Sequence, residues 1–141
     1  MTAMPSNLDL IRSTYEGPSE ENGKHLLAAL APDAEWVEAA GFPYAGTYVG
    51  PDAIIANVFQ RLATEWIGYR AEVASYLEAG DQVVAFGFYS GTYKATGRSM
   101  RASFAHRYTL KAGKIVRMVQ YVDSHMVQQA LIEAPHADKP L

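Results

Sequence analysis

From Tyr69 onward the apolar residues recur at every second position rather than every third or fourth, and the pattern holds to Asp123. A period of two belongs to strands that bury one face. The run is broken by Ala79-Gly80-Asp81, Ala95-Thr96-Gly97 and Lys111-Ala112-Gly113. Connections this short join antiparallel neighbours. The second half of the chain is therefore a meander of four strands, over about 69–78, 82–94, 98–110 and 114–123.

The first half is helical. Ser6 followed by Asp9 has the character of a capping box, and Leu8, Ile11 and Tyr15 share one helix face. Gly17-Pro18 closes this helix. Ser19, with Glu20 and Glu21 at the positive end of the dipole, opens a second through Leu26, Leu27 and Leu30, and Pro32 ends it. Glu35 to Ala39 reads as a short strand and Gly41 to Gly50 as an apolar loop. Pro51 starts a third helix with the stripe Ile54, Ile55, Val58, Leu62 and Trp66. Ser124 to Glu133 reads as a final helix. Residues 1–6 read as a flexible start and 134–141 as a frayed tail, leaving one domain over 7–133.

Helices followed by a meander define an α+β class, here a cone in which a curved, mostly antiparallel sheet wraps three N-terminal helices. Alternation assigns the faces. Met100, Ala102, Phe104, His106, Tyr108 and Leu110 point to the helices, while Ser99, Arg101, Ser103, Arg107 and Thr109 point to water or a partner subunit. In the preceding strand Val84, Phe86 and Phe88 oppose Val83, Ala85, Gly87 and Tyr89, and neither set is polar. A sheet apolar on both sides implies a homodimer.

Composition narrows the function. The chain has 141 residues, 49% hydrophobic and 19% charged, which suits one folded domain. A net charge of −3 argues against nucleic acid or an anionic membrane as partner. Without cysteine there is no disulfide, iron–sulfur cluster or thiol nucleophile. No apolar run approaches about 18 residues, and no basic start precedes an apolar stretch, so a cytoplasmic protein is expected.

Four residues carry candidate chemistry. His106 lies on an apolar face, either as a satisfied core histidine or as a donor lining a pocket. Glu38 shares parity with Trp36. Turned inward, it is a desolvated carboxylate with a raised pKa; turned outward, it is a solvated strand end with Val37 buried instead. Tyr15 either packs or donates its phenol O–H into the same space. Asp123 is a second acid/base group or the N-cap of the last helix. Metal-ligand spacing, a phosphate loop and a nucleophile elbow are all missing, so neither metal nor cofactor is expected.

The element order, ending in FAHRYTLKAGKIVRMVQYVDS, together with WVEAAGFPYAGTYVGPDAI and SGTYKATG, resembles the nuclear transport factor 2-like superfamily with its cystatin-like fold. Within it the chain is most similar to SnoaL-like and ketosteroid isomerase-related proteins, over roughly residues 7–132. The resemblance implies that Glu38, in LAPDAEWVE, falls on the general base. It places Tyr15, in IRSTYEG, and His106, in FAHRYTL, on the two oxyanion-hole donors. Here Glu stands for the family's Asp, and His for its protonated acid. Asp123 resembles the late acid/base Asp of SnoaL-like cyclases.

These readings together imply an apolar cavity ringed by Trp36, Phe42, Tyr44, Phe59, Trp66, Phe86, Phe88, Phe104, Met118 and Gln120. Its expected use is cofactor-free acid/base chemistry (isomerase, cyclase or lyase) next to a carbonyl of a small hydrophobic molecule. One alternative is a non-catalytic small-molecule-binding module. Another is epoxide-hydrolase-like water activation, for which Glu38, Asp123 and Arg117 are the candidate residues.

Overall fold

A computed structural model describes residues 5–133. The expected tail, 134–141, and most of the expected flexible start lie outside them. Helix α1 spans Asn7–Arg12, and the Ser6 hydroxyl accepts from the Asp9 N–H at its start. Helix α2 spans Ser19–Ala29. Strand β1 then runs Leu30–Glu38 and β2 Gly46–Val49. A helical stretch follows, made of α3 (Pro51–Ile54), a π-helical segment (Ile55–Phe59) and α4 (Gln60–Glu65). The meander is β3 (Trp66–Ala79), β4 (Gln82–Tyr93), β5 (Ser99–Lys111) and β6 (Lys114–Val122), and α5 (Ser124–Leu131) closes the chain.

The strands form one curved, unclosed sheet in the order β2-β1-β6-β5-β4-β3. Every pair is antiparallel except β1 with β6. This is the expected α+β architecture. The parallel pair follows from the chain path, because β1 reaches β6 only after the helices and the whole meander intervene.

Three local differences from the sequence reading have physical causes. β1 starts at Leu30 rather than Glu35 and contains Pro32. Proline has no N–H to give the ladder, and the register with β6 breaks between Leu30 and Glu35. The Gly41–Gly50 loop contains β2, an edge strand paired with β1 from Glu35↔Val49 to Glu38↔Gly46. Trp66 is the first residue of β3 rather than the last of a helix.

β5 alternates as expected, with Met100, Ala102, Phe104, His106, Tyr108 and Leu110 all buried. β4 resolves the ambiguity of its two apolar sides. Val83, Ala85, Gly87 and Tyr89 face inward, which puts Phe86 and Phe88 on the outer face. Gly87 is required where β3 shifts register between Val73 and Ser75. A Cβ there would collide with the Glu72 carbonyl oxygen. The β5–β6 turn, Ala112-Gly113, has φ of 51° and 77°, the left-handed conformation that two-residue hairpins need.

The core has two parts. One gathers Ile11, Ala34, Trp36, Ile54, Val58, Tyr108 and Met118. The other gathers Phe42, Tyr44, Trp66, Tyr89, Phe104 and Val127, capped by α5. Each fully buried aliphatic side chain contributes about 1.5–3 kcal/mol. An internal chamber lies at the seam, since Trp36, Val58, Tyr108 and Met118 of the first part and Phe42 and Tyr89 of the second all line it.

Candidate active site

The chamber at this seam has a volume of about 120 Å³. It is walled by Thr14 and Tyr15 after α1, Leu26 of α2, and Val58, Phe59 and Leu62 of the third helical stretch. The sheet contributes Trp36, Glu38, Tyr69, Ala71, Tyr89, His106, Tyr108, Met118 and Gln120. A larger cleft of about 880 Å³ shares Thr14, Tyr15, Phe59, Leu62, Tyr69 and Ala71 with it, so these side chains form the neck between chamber and surface.

Glu38 ends β1 on the same inward side as Ala34 and Trp36, while Val37 turns away. Only 6% of it is exposed. The Trp36 Nε1–H donates to Glu38 Oε1 at 3.0 Å, and Oε2 is buried without a partner. Burial pushes the carboxyl up to about 7, against the lowering effect of the Trp36 hydrogen bond. At neutral pH this group is near the midpoint of its titration, where a proton shuttle works best.

His106 sits midway along β5 against the ring of Phe104, 4.1 Å away. Burial pushes its imidazole down to about 3, so the ring is neutral. Both nitrogens are occupied: Nδ1 meets the Tyr15 hydroxyl at 2.5 Å, and Nε2 meets the Tyr89 hydroxyl. Tyr15 also meets Tyr108, hydroxyl to hydroxyl, at 2.5 Å. At the other end Gln120 Nε2–H donates to the Tyr89 oxygen at 2.8 Å, and Gln120 Oε1 accepts from the Ala39 N–H at 3.0 Å. Burial raises the pKa of Tyr15, Tyr89 and Tyr108 above the ordinary phenol value, so all three keep their protons at neutral pH.

A neutral imidazole has one N–H and three phenols have three O–H groups, giving four protons for the three links Tyr89–His106, His106–Tyr15 and Tyr15–Tyr108. One O–H is therefore not used by these three links, whichever tautomer the ring adopts.

Tyr15 lies beyond the end of α1, and Asn22 fixes the turn that carries it. Its Nδ2 donates to the carbonyls of Tyr15 and Gly17, at 3.1 and 2.9 Å, and its Oδ1 accepts from the Gly17 N–H.

The chamber brings together Tyr15, Trp36, Glu38, Phe42, Phe59, His106, Met118 and Gln120 of the residues singled out in the sequence. Tyr44, Trp66 and Phe104 pack behind its wall in the second core cluster. The Tyr44 hydroxyl there donates to Glu65 Oε1 and accepts from the Trp66 indole N–H. Phe86, Phe88 and Asp123 do not face the chamber. They line an outer groove of about 510 Å³, on the opposite side of the sheet. Asp123 follows the last residue of β6 and caps α5, accepting from the Met126 N–H at 3.4 Å. Arg117 points outward to Glu35, at 3.6 Å, so the paired acids and arginine of a water-activating site do not assemble.

The sequence reading missed Tyr69, Tyr89 and Tyr108 as site residues. Parity carried the signal for two of them, since Tyr108 shares a face with His106 and Tyr89 shares one with Ala85, the residue opposite His106. Among the described residues no cluster of His, Asp or Glu could hold a metal ion, and no helix is long and apolar enough to cross a membrane.

The curved, mostly antiparallel sheet packed against helices is the fold of nuclear transport factor 2-like proteins. Residues 11–118 match the SnoaL-like domain model, and the chain belongs to the SnoaL-like family. It is similar to an NTF2-like protein from Burkholderia thailandensis E264, with 40% identity, a TM-score of 0.87, and coverage of 92% of this chain and 99% of that one. It is also similar to TerC, co-crystallized with polyporic acid, at 27% identity and a TM-score of 0.77 over 89% and 97% of the two chains. A protein of ketosteroid isomerase-like fold from Catenulispora acidiphila DSM 44928 shares the fold at 17% identity and a TM-score of 0.70, over 97% and 100%. No curated protein sequence matches the chain.

Proposed function

We propose that this protein is a cofactor-free acid–base catalyst acting beside a carbonyl group of a small, flat, mostly hydrophobic molecule. The observation that carries the reading is the unpaired, buried Oε2 of Glu38, in the same chamber as a chain of neutral donors with one O–H to spare. Glu38 removes a proton from the carbon next to the carbonyl. The C–H electron pair becomes a carbon–carbon double bond as the carbonyl π pair moves onto oxygen, and the spare O–H of the tyrosine–histidine chain stabilises the enolate. The protonated Glu38 then returns the proton to another carbon, or the enolate carbon attacks a second carbonyl, closes a ring, and the alkoxide so formed takes the proton from Glu38. The first outcome is an isomerisation, the second a cyclisation.

Size supports a small reacting unit. A dry cavity of about 150 Å³ accepts benzene, and the chamber, at about 120 Å³, is slightly smaller, so the reacting unit inside it is no larger than one six-membered ring. Any further part of the molecule has room in the outer cleft. The co-crystallization of TerC, a similar protein at 27% identity, with polyporic acid is in keeping with a ligand of this kind.

The test is deuterium uptake at the α-carbons of cyclohexanone in D₂O. Wild-type protein accelerates uptake over buffer, and Glu38→Gln, which keeps volume and loses basicity, lowers the rate by roughly 100-fold or more. Uptake equal in both proteins removes Glu38 as the base, and uptake equal to buffer in both leaves a binding module without turnover.

A further inference from the structure

We propose that the chamber contains a second oxygen-binding site, built on the Tyr69 hydroxyl beside Tyr89, and that its guest is a six-membered ring carrying two oxygens. The inference deepens the enolate reading and rests on it. Among the described residues Tyr69 is the one chamber phenol outside the histidine-centred chain. Its hydroxyl is buried and makes no hydrogen bond within 3.5 Å, although the Tyr89 hydroxyl is near enough to affect its acidity and the two rings lie 5.4 Å apart. A buried, unpaired O–H is costly, and Tyr69 borders both the chamber and the cleft, so a guest entering through the neck passes directly over it.

The donor count fits two oxygens. With the His106 proton on Nε2, that N–H points to Tyr89, and Tyr89 has the spare O–H next to Tyr69. With the proton on Nδ1, the spare O–H moves to Tyr15 or Tyr108 on the far side of the imidazole. The ring of His106 thus separates two donor pairs, and its tautomer decides which is reinforced. Glu38 lines the same chamber as Tyr69, Tyr89 and Tyr108, and its charge raises the pKa of all three.

Charge points the same way. Among the described residues no lysine or arginine lines the chamber, and His106 is neutral. Neutral hydrogen bonds must stabilise whatever anion forms, and an enolate delocalised over two oxygens asks less of each donor than one confined to a single oxygen. A hydroxy-enone or a dioxygenated aromatic ring has this property.

Phenol, resorcinol and hydroquinone, titrated at pH 7 by calorimetry, test the proposal. All are flat, neutral six-membered rings that differ only in the second oxygen. Wild-type protein should bind the better of the two dihydroxybenzenes about tenfold more tightly than phenol, and Tyr69→Phe, which removes one oxygen atom, should bring that ratio to about one. A ratio near one in the wild type, an unchanged ratio in Tyr69→Phe, or no binding of any of the three overturns the second site. The enolate reading is judged separately, by the difference between wild type and Glu38→Gln in deuterium uptake.

Discussion

The two ionisable groups of the chamber show what burial alone does and what hydrogen bonding adds. Glu38 and His106 are 6% and 7% exposed. Desolvation is the first cause of both pKa changes, and it moves them in opposite directions because in each case it favours the uncharged form. The consequences differ. His106 is driven to about 3 with both nitrogens engaged, which keeps it neutral and held in place. Glu38 stops at about 7 because the Trp36 N–H partly supports its charge, and it keeps one oxygen free. One group is locked and the other is poised.

Acid titration breaks the comparison at its histidine end, with the largest expected effect. Between pH 6.5 and 3 the unfolded chain binds a proton on His106 that the folded chain refuses, so stability falls as pH falls through that window, by roughly 4–5 kcal/mol. Urea midpoints measured from pH 7 to 3 follow this loss. In His106→Asn, which cannot titrate, this part of the acid loss disappears. An acid limb of equal depth in that variant would locate the sensitivity elsewhere.

The carboxylate end has the opposite sign. Between pH 4.5 and 7 the folded chain holds a proton on Glu38 that the unfolded chain has released, so stability falls as pH rises, by about 3 kcal/mol once pH passes 7. Glu38→Gln removes this cost. Its denaturation midpoint should exceed that of the wild type at pH 8 and coincide with it near pH 4. A Glu38→Gln variant with no advantage at pH 8 would mean that the carboxylate is solvated in the folded state. From pH 4.5 to 6.5 the two groups oppose each other, and the wild-type profile should be flatter there than in either variant.

The sequence exposed these two ends unequally. His106 was legible because β5 is one-sided, so a polar residue in phase with Phe104 and Tyr108 had to face the interior. Glu38 was legible only as a parity partner of Trp36, since a strand end can turn either way. β4 was not legible, because Phe86 and Phe88 are as apolar as the residues that are buried. What decides the matter is a backbone approach at Gly87 that no periodicity encodes. Pro32 signals the end of a helix but lies inside β1, where a break in register absorbs it. Tyr69 carries its only polar side-chain atom at the tip of an apolar ring, so a hydropathy pattern reads it as packing.

Trp36 is where the comparison can be sharpened without removing either group. Among the described residues its indole N–H is the one hydrogen-bond donor to the Glu38 carboxylate, and it favours the charged form. Trp36→Phe keeps an aromatic ring next to Phe59, whose ring lies 5.4 Å away, and deletes the donor. A hydrogen bond to a charged group is worth about 1.5 kcal/mol, which corresponds to about one pH unit. The pH at which deuterium uptake reaches half its maximum should therefore move to the alkaline side by about that amount, with the maximal rate at high pH largely retained. A lower maximal rate with an unmoved midpoint would mean that Trp36 shapes the chamber and leaves the acidity of Glu38 to burial alone.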